Sequence, residues 1–198
     1  MDVFVRKYSP PDDIVGVYRD SLGSLRKSAG GSHPDDYVDR MLSRSDGQLM
    51  RALLYANELF VAEAGGAIAG MGGFAARLKH RILGSVYSAN FYVRREFQHG
   101  KSGISVGSLL RNATIEHARR LGFRKMYGYS TEEAISFHKK HGAVFYPEHN
   151  VKIRGTGITV HYYEISLKSH PLNGIRIEPY FSEQSFLSKV VGMLRGKS

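Results

Sequence analysis

Between a strand-like run and a helix-like run lies the segment Arg94-Arg95-Glu96-Phe97-Gln98-His99-Gly100-Lys101-Ser102-Gly103-Ile104-Ser105. A glycine-bearing, basic turn that opens a helix suits the binding of phosphates. Backbone N–H groups can approach phosphate oxygens closely there, and the helix N-terminus adds about half a positive charge. Lys101 could add a point charge. Gly100-Lys101-Ser102 imitates the end of a nucleotide-binding P-loop, but that motif needs a glycine five residues before Gly100, where Arg95 stands. A P-loop nucleoside triphosphatase is rejected on that ground.

Other chemistries are narrowed by residue type. The chain has no cysteine, which excludes disulfides, thiolate metal sites and a cysteine nucleophile. Its nine histidines include no metal-binding cluster: His138 and His141 lie three apart, but no carboxylate at ligand spacing joins them. Proton transfer remains. A base could be a carboxylate or an ordered water. Asn90 and Ser88 cannot accept a proton unaided but could hold such a water. Glu63 and Glu132 are candidates by location and read more simply as surface carboxylates.

The elements around these residues follow from periodicity. Residues 3–8 have strand composition. Pro10-Pro11-Asp12-Asp13 breaks that strand and starts a helix with Ile14, Val15, Val17, Tyr18 and Leu22 as apolar positions. A second helix carries Tyr37, Met41 and Leu42. Strands over 59–64 and 67–76 flank the hairpin signal Gly65-Gly66. The glycines of the second strand, Gly70, Gly72 and Gly73, imply a bulge or a close backbone approach. Residues 85–93 form a third strand. Alternation puts Tyr87, Ala89, Phe91 and Val93 on one face and Val86, Ser88, Asn90 and Tyr92 on the other. In the next helix Val106, Leu109, Leu110 and Ala113 share a stripe, while Arg111 and Glu116 read as polar-face residues. Gly122 caps it. A strand over 125–129, a helix opened by Ser130 and Glu133 as a capping box, and strands over 143–146 and 159–167 follow. The order β, α, α, β, β, β, α, β, α, β, β describes a mixed, mostly antiparallel sheet with helices on both faces and one β-α-β crossover. The expected domain spans residues 1–169. Residues 170–198 form an appendage with an amphipathic pattern at Phe186, Leu187, Val190, Val191 and Leu194.

This order, and three motifs within it, resemble the GNAT superfamily of acyl-coenzyme A-dependent N-acyltransferases. Phe91-Tyr92-Val93 followed by residues 94–104 is similar to the family's central strand and pyrophosphate loop. Ala118-Arg119-Arg120-Leu121-Gly122-Phe123 resembles the end of the helix after that loop. Ala134-Ile135-Ser136-Phe137-His138-Lys139-Lys140-His141-Gly142-Ala143 resembles the family's Ala-Ile-x-Phe-Tyr-x-x-x-Gly-Phe segment. The resemblance covers residues 55–168. It implies that Phe91, Tyr92, Val93, Gln98, His99, Gly100, Lys101, Ser102, Gly103, Ile104 and Ser105 bind acetyl-CoA or another acyl-CoA. Counted from the strand, Gln98 and Gly103 take family positions and Lys101 replaces a glycine. Counted back from the helix end, the loop is residues 102–107, so the loop is lengthened by about one helical turn. His138 stands where the family commonly has a tyrosine that protonates the departing thiolate. Its ordinary pKa of about 6.5 suits that role. Tyr127, Tyr129 and Tyr146 compete for it. The expected catalytic pair is His138 and Asn90.

Size, charge and hydropathy fit this reading. The 198 residues suit one domain. No apolar run approaches the roughly 18 residues of a membrane span, and the N-terminal residues lack a secretory signal, so a cytoplasmic protein is expected. The formal net charge of +10 suits a polyanionic small ligand. It also keeps open an alternative of another class, a non-catalytic domain of this fold that binds a ligand, a partner or nucleic acid. The expected partner is an amine-bearing acceptor, without membrane or nucleic acid. A homodimer is compatible with the sequence.

Overall fold

In a computed structural model, residues 2–27, 31, 33–98, 105–154 and 156–168 are described. Eight strands make one sheet in the order β1-β2-β3-β4-β5-β8-β6, with β7 paired to β8. Strands β1 (Val3–Lys7), β2 (Glu58–Ala64), β3 (Ala67–Ala75) and β4 (Ser85–Val93) run antiparallel in sequence order. β4 and β5 (Lys125–Ser130) are parallel. β6 (Ala143–Phe145), β7 (Val151–Lys152) and β8 (Thr159–Ser166) complete the far side with antiparallel pairs. This is the mixed, mostly antiparallel architecture expected from the order of elements.

Helices cover both faces. On one lies α5 (Val106–Arg120), whose buried Leu110, Ile115 and Ala118 meet Phe60, Ala62, Phe74 and Val86. On the other lie α1 (Ile14–Gly23), α2 (Asp35–Leu42) and α3 (Asp46–Leu53), packed on Leu59, Val61 and Met71. The period-two sequence of β2 feeds both cores: Leu59 and Val61 face one way, Phe60 and Ala62 the other. Residues Gly65 and Gly66, at φ 58° and 81°, make the β2–β3 turn.

Several local expectations differ from what forms. α3 is an additional helix, opened by a reciprocal capping box between Ser45 and Gln48. The basic turn between β3 and β4 contains a short helix, α4 (Leu78–Ile82). The capping box expected at Ser130 and Glu133 does not form. Ser130 Oγ donates to Thr131 O, a single 3-10 turn spans Glu132–Ala134, and α6 (Ile135–Lys140) continues from it. The amphipathic segment at 186–194 lies outside the described residues.

Strand β4 departs from strict alternation. Ala89 pairs with Gly73 and Tyr92 with Met71. Asn90 and Phe91 therefore both stand opposite Gly72, a β-bulge that Asn90 accommodates at φ 55°. The extra residue shifts the faces by one. Val86 and Ser88 face α5 before the bulge, and Phe91 and Val93 face it afterwards. Asn90 and Tyr92 turn to the α1–α3 side. Ser88 and Asn90, expected on one face, are on opposite faces, and Phe91 joins Ser88.

Candidate active site

The sheet is open at its centre. β4 and β5 pair only through Ser85, Val86 and Tyr87 with Lys125, Met126 and Tyr127. Beyond that point the bulge turns β4 away, and Gly128, Tyr129 and Ser130 pair with β8 alone. The two parallel strands therefore diverge toward their C-terminal ends. The loop from β4 to α5 leaves from that same end, so the helix N-terminus opens beside the gap. Ser105 caps it, its Oγ accepting from Ser108 N at 3.2 Å.

Arg111, from the second turn of α5, lies where the strands part. It is 1% exposed, a correction to its expected polar-face position. Its Nη1 donates to Ser88 Oγ at 2.9 Å and lies 3.6 Å from Met126 Sδ. Its Nη2 lies 3.0 Å from His138 Nδ1 and 3.3 Å from Tyr163 Oη. The Phe91 ring covers the guanidinium, 4.5 Å from its carbon. Nε has no partner, and no carboxylate ion-pairs with Arg111 among the described residues.

His138, on α6, is 5% exposed and stacks on Tyr163 with ring centroids 4.5 Å apart. A guanidinium can only donate, so His138 Nδ1 is the acceptor and the ring proton sits on Nε2. Burial pushes the imidazole down to about 2, with the charges of Arg111 and His141 acting in the same direction. His138 is thus a neutral N–H donor. That differs from the near-neutral titration its residue type suggested, because the ring is buried and a cation sits at hydrogen-bond distance. His141, expected nearby, donates from Nδ1 to Phe137 O at 2.8 Å.

The other expected site residues are spread around the gap. Phe91 lies on the α5 side against Arg111, and Val93 packs into the α5-side core. Tyr92 points away, edge-on to Tyr18 of α1 at 5.0 Å. Asn90 Nδ2 donates to Leu53 O of α3. Gln98 folds back, its Nε2 donating to Val93 O at 2.9 Å. His99, Gly100, Lys101, Ser102, Gly103 and Ile104 lie outside the described residues. Arg94, at the basic junction, is held by Asp13 at the N-cap of α1, by Asp20 within it and by Ile68 O, so its charge holds α1 in place. Glu63 pairs with Arg6, and Glu132 with His161, as surface carboxylates do.

The sequence named Tyr127 and Tyr129 only as rival proton donors and did not reveal the aromatic face they help to build. On the sheet face opposite α5, Tyr127 and Tyr129 of β5 stand across from Glu164 and Tyr162 of β8. Tyr87 lies 5.5 Å from Tyr127, and Tyr162 lies 6.2 Å from Tyr127 and 5.5 Å from Tyr129. The signal was present as Tyr-x-Tyr in 127–129 and Tyr-Tyr at 162–163. Tyr163 takes the other face and reaches Arg111.

No helix among the described residues is long and apolar enough to cross a membrane, and no group of three His, Asp or Glu among them could hold a metal. A comparison with curated protein sequences gives no match. The fold is similar to the PaiA N-acetyltransferase from Thermoplasma acidophilum, solved in complex with coenzyme A (TM-score 0.63, 17% identity, 84% of this chain and 99% of that one). It is also similar to a GCN5-related N-acetyltransferase from Rhodopseudomonas palustris (TM-score 0.65, 18% identity, 84% and 96%). A third similar structure is N-acetylglutamate synthase from Neisseria gonorrhoeae, complexed with coenzyme A and N-acetyl-glutamate (TM-score 0.56, 16% identity, 85% of this chain but 36% of that one). The sequence model of the acetyltransferase (GNAT) family matches residues 22–143, most of the chain and both walls of the gap, so this chain belongs to that family.

Proposed function

We propose that this protein is an N-acyltransferase that moves an acyl group, acetyl in the simplest case, from coenzyme A to an amine by direct attack in a ternary complex. The observation that carries the reading is the opening between β4 and β5 beside the N-terminus of α5. Coenzyme A is a polyanion at one end and a neutral, narrow arm at the other. The loop before α5 and the helix dipole suit its phosphates. The gap suits the arm, with the thioester at the floor near His138 and Arg111. No cysteine is available to carry an acyl intermediate, so the amine attacks the thioester itself. The tyrosine face of β5 and β8 suits the acceptor, since a protonated amine is attracted to aromatic faces.

Calorimetry with acetyl-CoA, combined with thiol release across a panel of amines, tests the reading. Lys101→Ala should weaken coenzyme A more than a pantetheine fragment without phosphates. Equal losses would remove Lys101 from the phosphate site. The alternative of a non-catalytic module is favoured by the net charge of +10 and by a buried, neutral histidine beside Arg111 at the position of a proton donor. Steeply salt-dependent binding of duplex DNA, with no coenzyme A binding, would establish that module and end the acyltransferase reading.

A further inference from the structure

Among the described residues, the buried guanidinium of Arg111 has no counter-charge. Burying an ion costs several kcal/mol unless it is paired. Every element packed against Arg111 presents neutral groups: Ser88 and Phe91 from β4, Met126 from β5, His138 from α6 and Tyr163 from β8. His141 lies one turn beyond His138 and is no closer source of negative charge. One N–H, on Nε, is unspent. A site that holds a lone cation at the floor of a substrate gap is built for an anion that arrives with the substrate.

We propose that the floor of the gap is a thiolate site: coenzyme A leaves the reaction as the thiolate, its sulfur stabilised by the Arg111 charge and by a hydrogen bond from His138 Nε2–H. This rests on the acyltransferase reading above. The amine nitrogen forms its bond to the carbonyl carbon, the carbon–sulfur bond breaks, and the electron pair stays on sulfur. The proton lost by the amine goes to water, and the thiolate takes one from water after it leaves the site. Neither neighbour can supply that proton in the site. A guanidinium does not give one up in proteins, and a neutral imidazole that gave one would be left as an anion. Arg111 acts on sulfur through its field and through the tautomer it imposes on His138, so it is a positioning residue.

The chain contains no cysteine, so bound coenzyme A is the only thiol in the complex. Its affinity is measured against pH beside that of desulfo-coenzyme A, and its thiolate absorbance is titrated in the saturated complex. The expected result is a bound thiol that ionises at least one pH unit below the unbound one. Coenzyme A then tightens at least tenfold relative to the desulfo compound across that interval. Arg111→Gln should abolish this gain and Arg111→Lys, which keeps the charge, should keep part of it. Parallel pH dependence of the two ligands in the wild-type protein overturns the proposal, whatever the variants do. Failure of both ligands to bind would instead overturn the acyltransferase reading, and this site with it.

Discussion

At the scale of residues, the chemistry turns on which atoms carry protons. His138 was identifiable from the Ala-Ile-x-Phe motif, but its proton was not, because burial keeps the ring neutral and Arg111 fixes the tautomer. A charged helix residue is ordinarily assigned to solvent. The spacing held the contrary signal: Gly107, Arg111, Thr114 and Ala118 form one i, i+4, i+7, i+11 stripe, and Arg111, Thr114 and Ala118 are all buried. Two outcomes follow. With its imidazole pushed down to about 2, His138 has no imidazolium to lose in the working range, so kcat should not fall as the pH rises through 6.5. Rate measurements at saturating acyl-CoA check this, and a falling limb near pH 6.5 would restore imidazolium as the donor. His138→Phe removes the Nε2–H and one acceptor of Arg111. Hydrogen bonds to charged groups are worth about 1.5–3 kcal/mol, so kcat should drop at least tenfold with the affinity for acetyl-CoA, which carries no thiolate, nearly intact.

At the scale of elements, the gap exists because β4 contains one residue more than its partner can match. The glycines of β3 announced a bulge. One forms there, with Ala69 unmatched against β2; the glycines could not say that another would fall on β4, since a bulge is a property of a pair and the pairing register is not written in either strand. Gly72 shows how tightly the pair is built. A Cβ there would stand 2.8 and 2.9 Å from two carbons of the Phe91 ring. That ring cannot swing aside easily, because it is boxed by Arg111 and by Phe137, 5.4 Å away. Gly72→Ala should therefore cost about 1–3 kcal/mol by overpacking. That corresponds to roughly 2–4 °C of melting temperature for each kcal/mol, and the variant should displace Phe91 from the gap. Gly47→Ala is the control, since its Cβ meets nothing within 4 Å in the helix α3 and should leave stability unchanged or slightly raised. Equal melting temperatures for the two variants would show that the bulge tolerates the ring's movement.

At the scale of the whole molecule, the strand and helix order was legible because both cores are patterned at period two or 3.6. The lateral order of β8 between β5 and β6 was not, because it depends on long-range pairing. The same distribution of buried groups sets the response to acid. A buried histidine held neutral binds a proton in the unfolded chain and not in the folded one, so stability rises with pH wherever the unfolded state is the more protonated. His138, with a folded value of about 2 against an unfolded value near 6.5, destabilises the fold progressively as pH falls below 6.5, by about 2 kcal/mol at pH 5. Burial lowers His33 in the same sense. The carboxylates act further down. The hydrogen bond from Arg6 holds Asp12 below the usual range, and burial of Glu58 is outweighed by His117 and Lys7. Their contribution is present above an unfolded pKa near 4 and is lost as pH falls through the lower folded values. The interval between pH 6.5 and 5 therefore belongs to buried imidazoles. His138→Gln keeps an acceptor for Arg111 but does not titrate. Urea unfolding at pH 7 and pH 5 should show a loss about 2 kcal/mol greater in the wild-type protein than in this variant. Equal losses would mean that His138 takes up its proton in the folded chain, and that the Arg111 pocket is more open to water than its burial indicates.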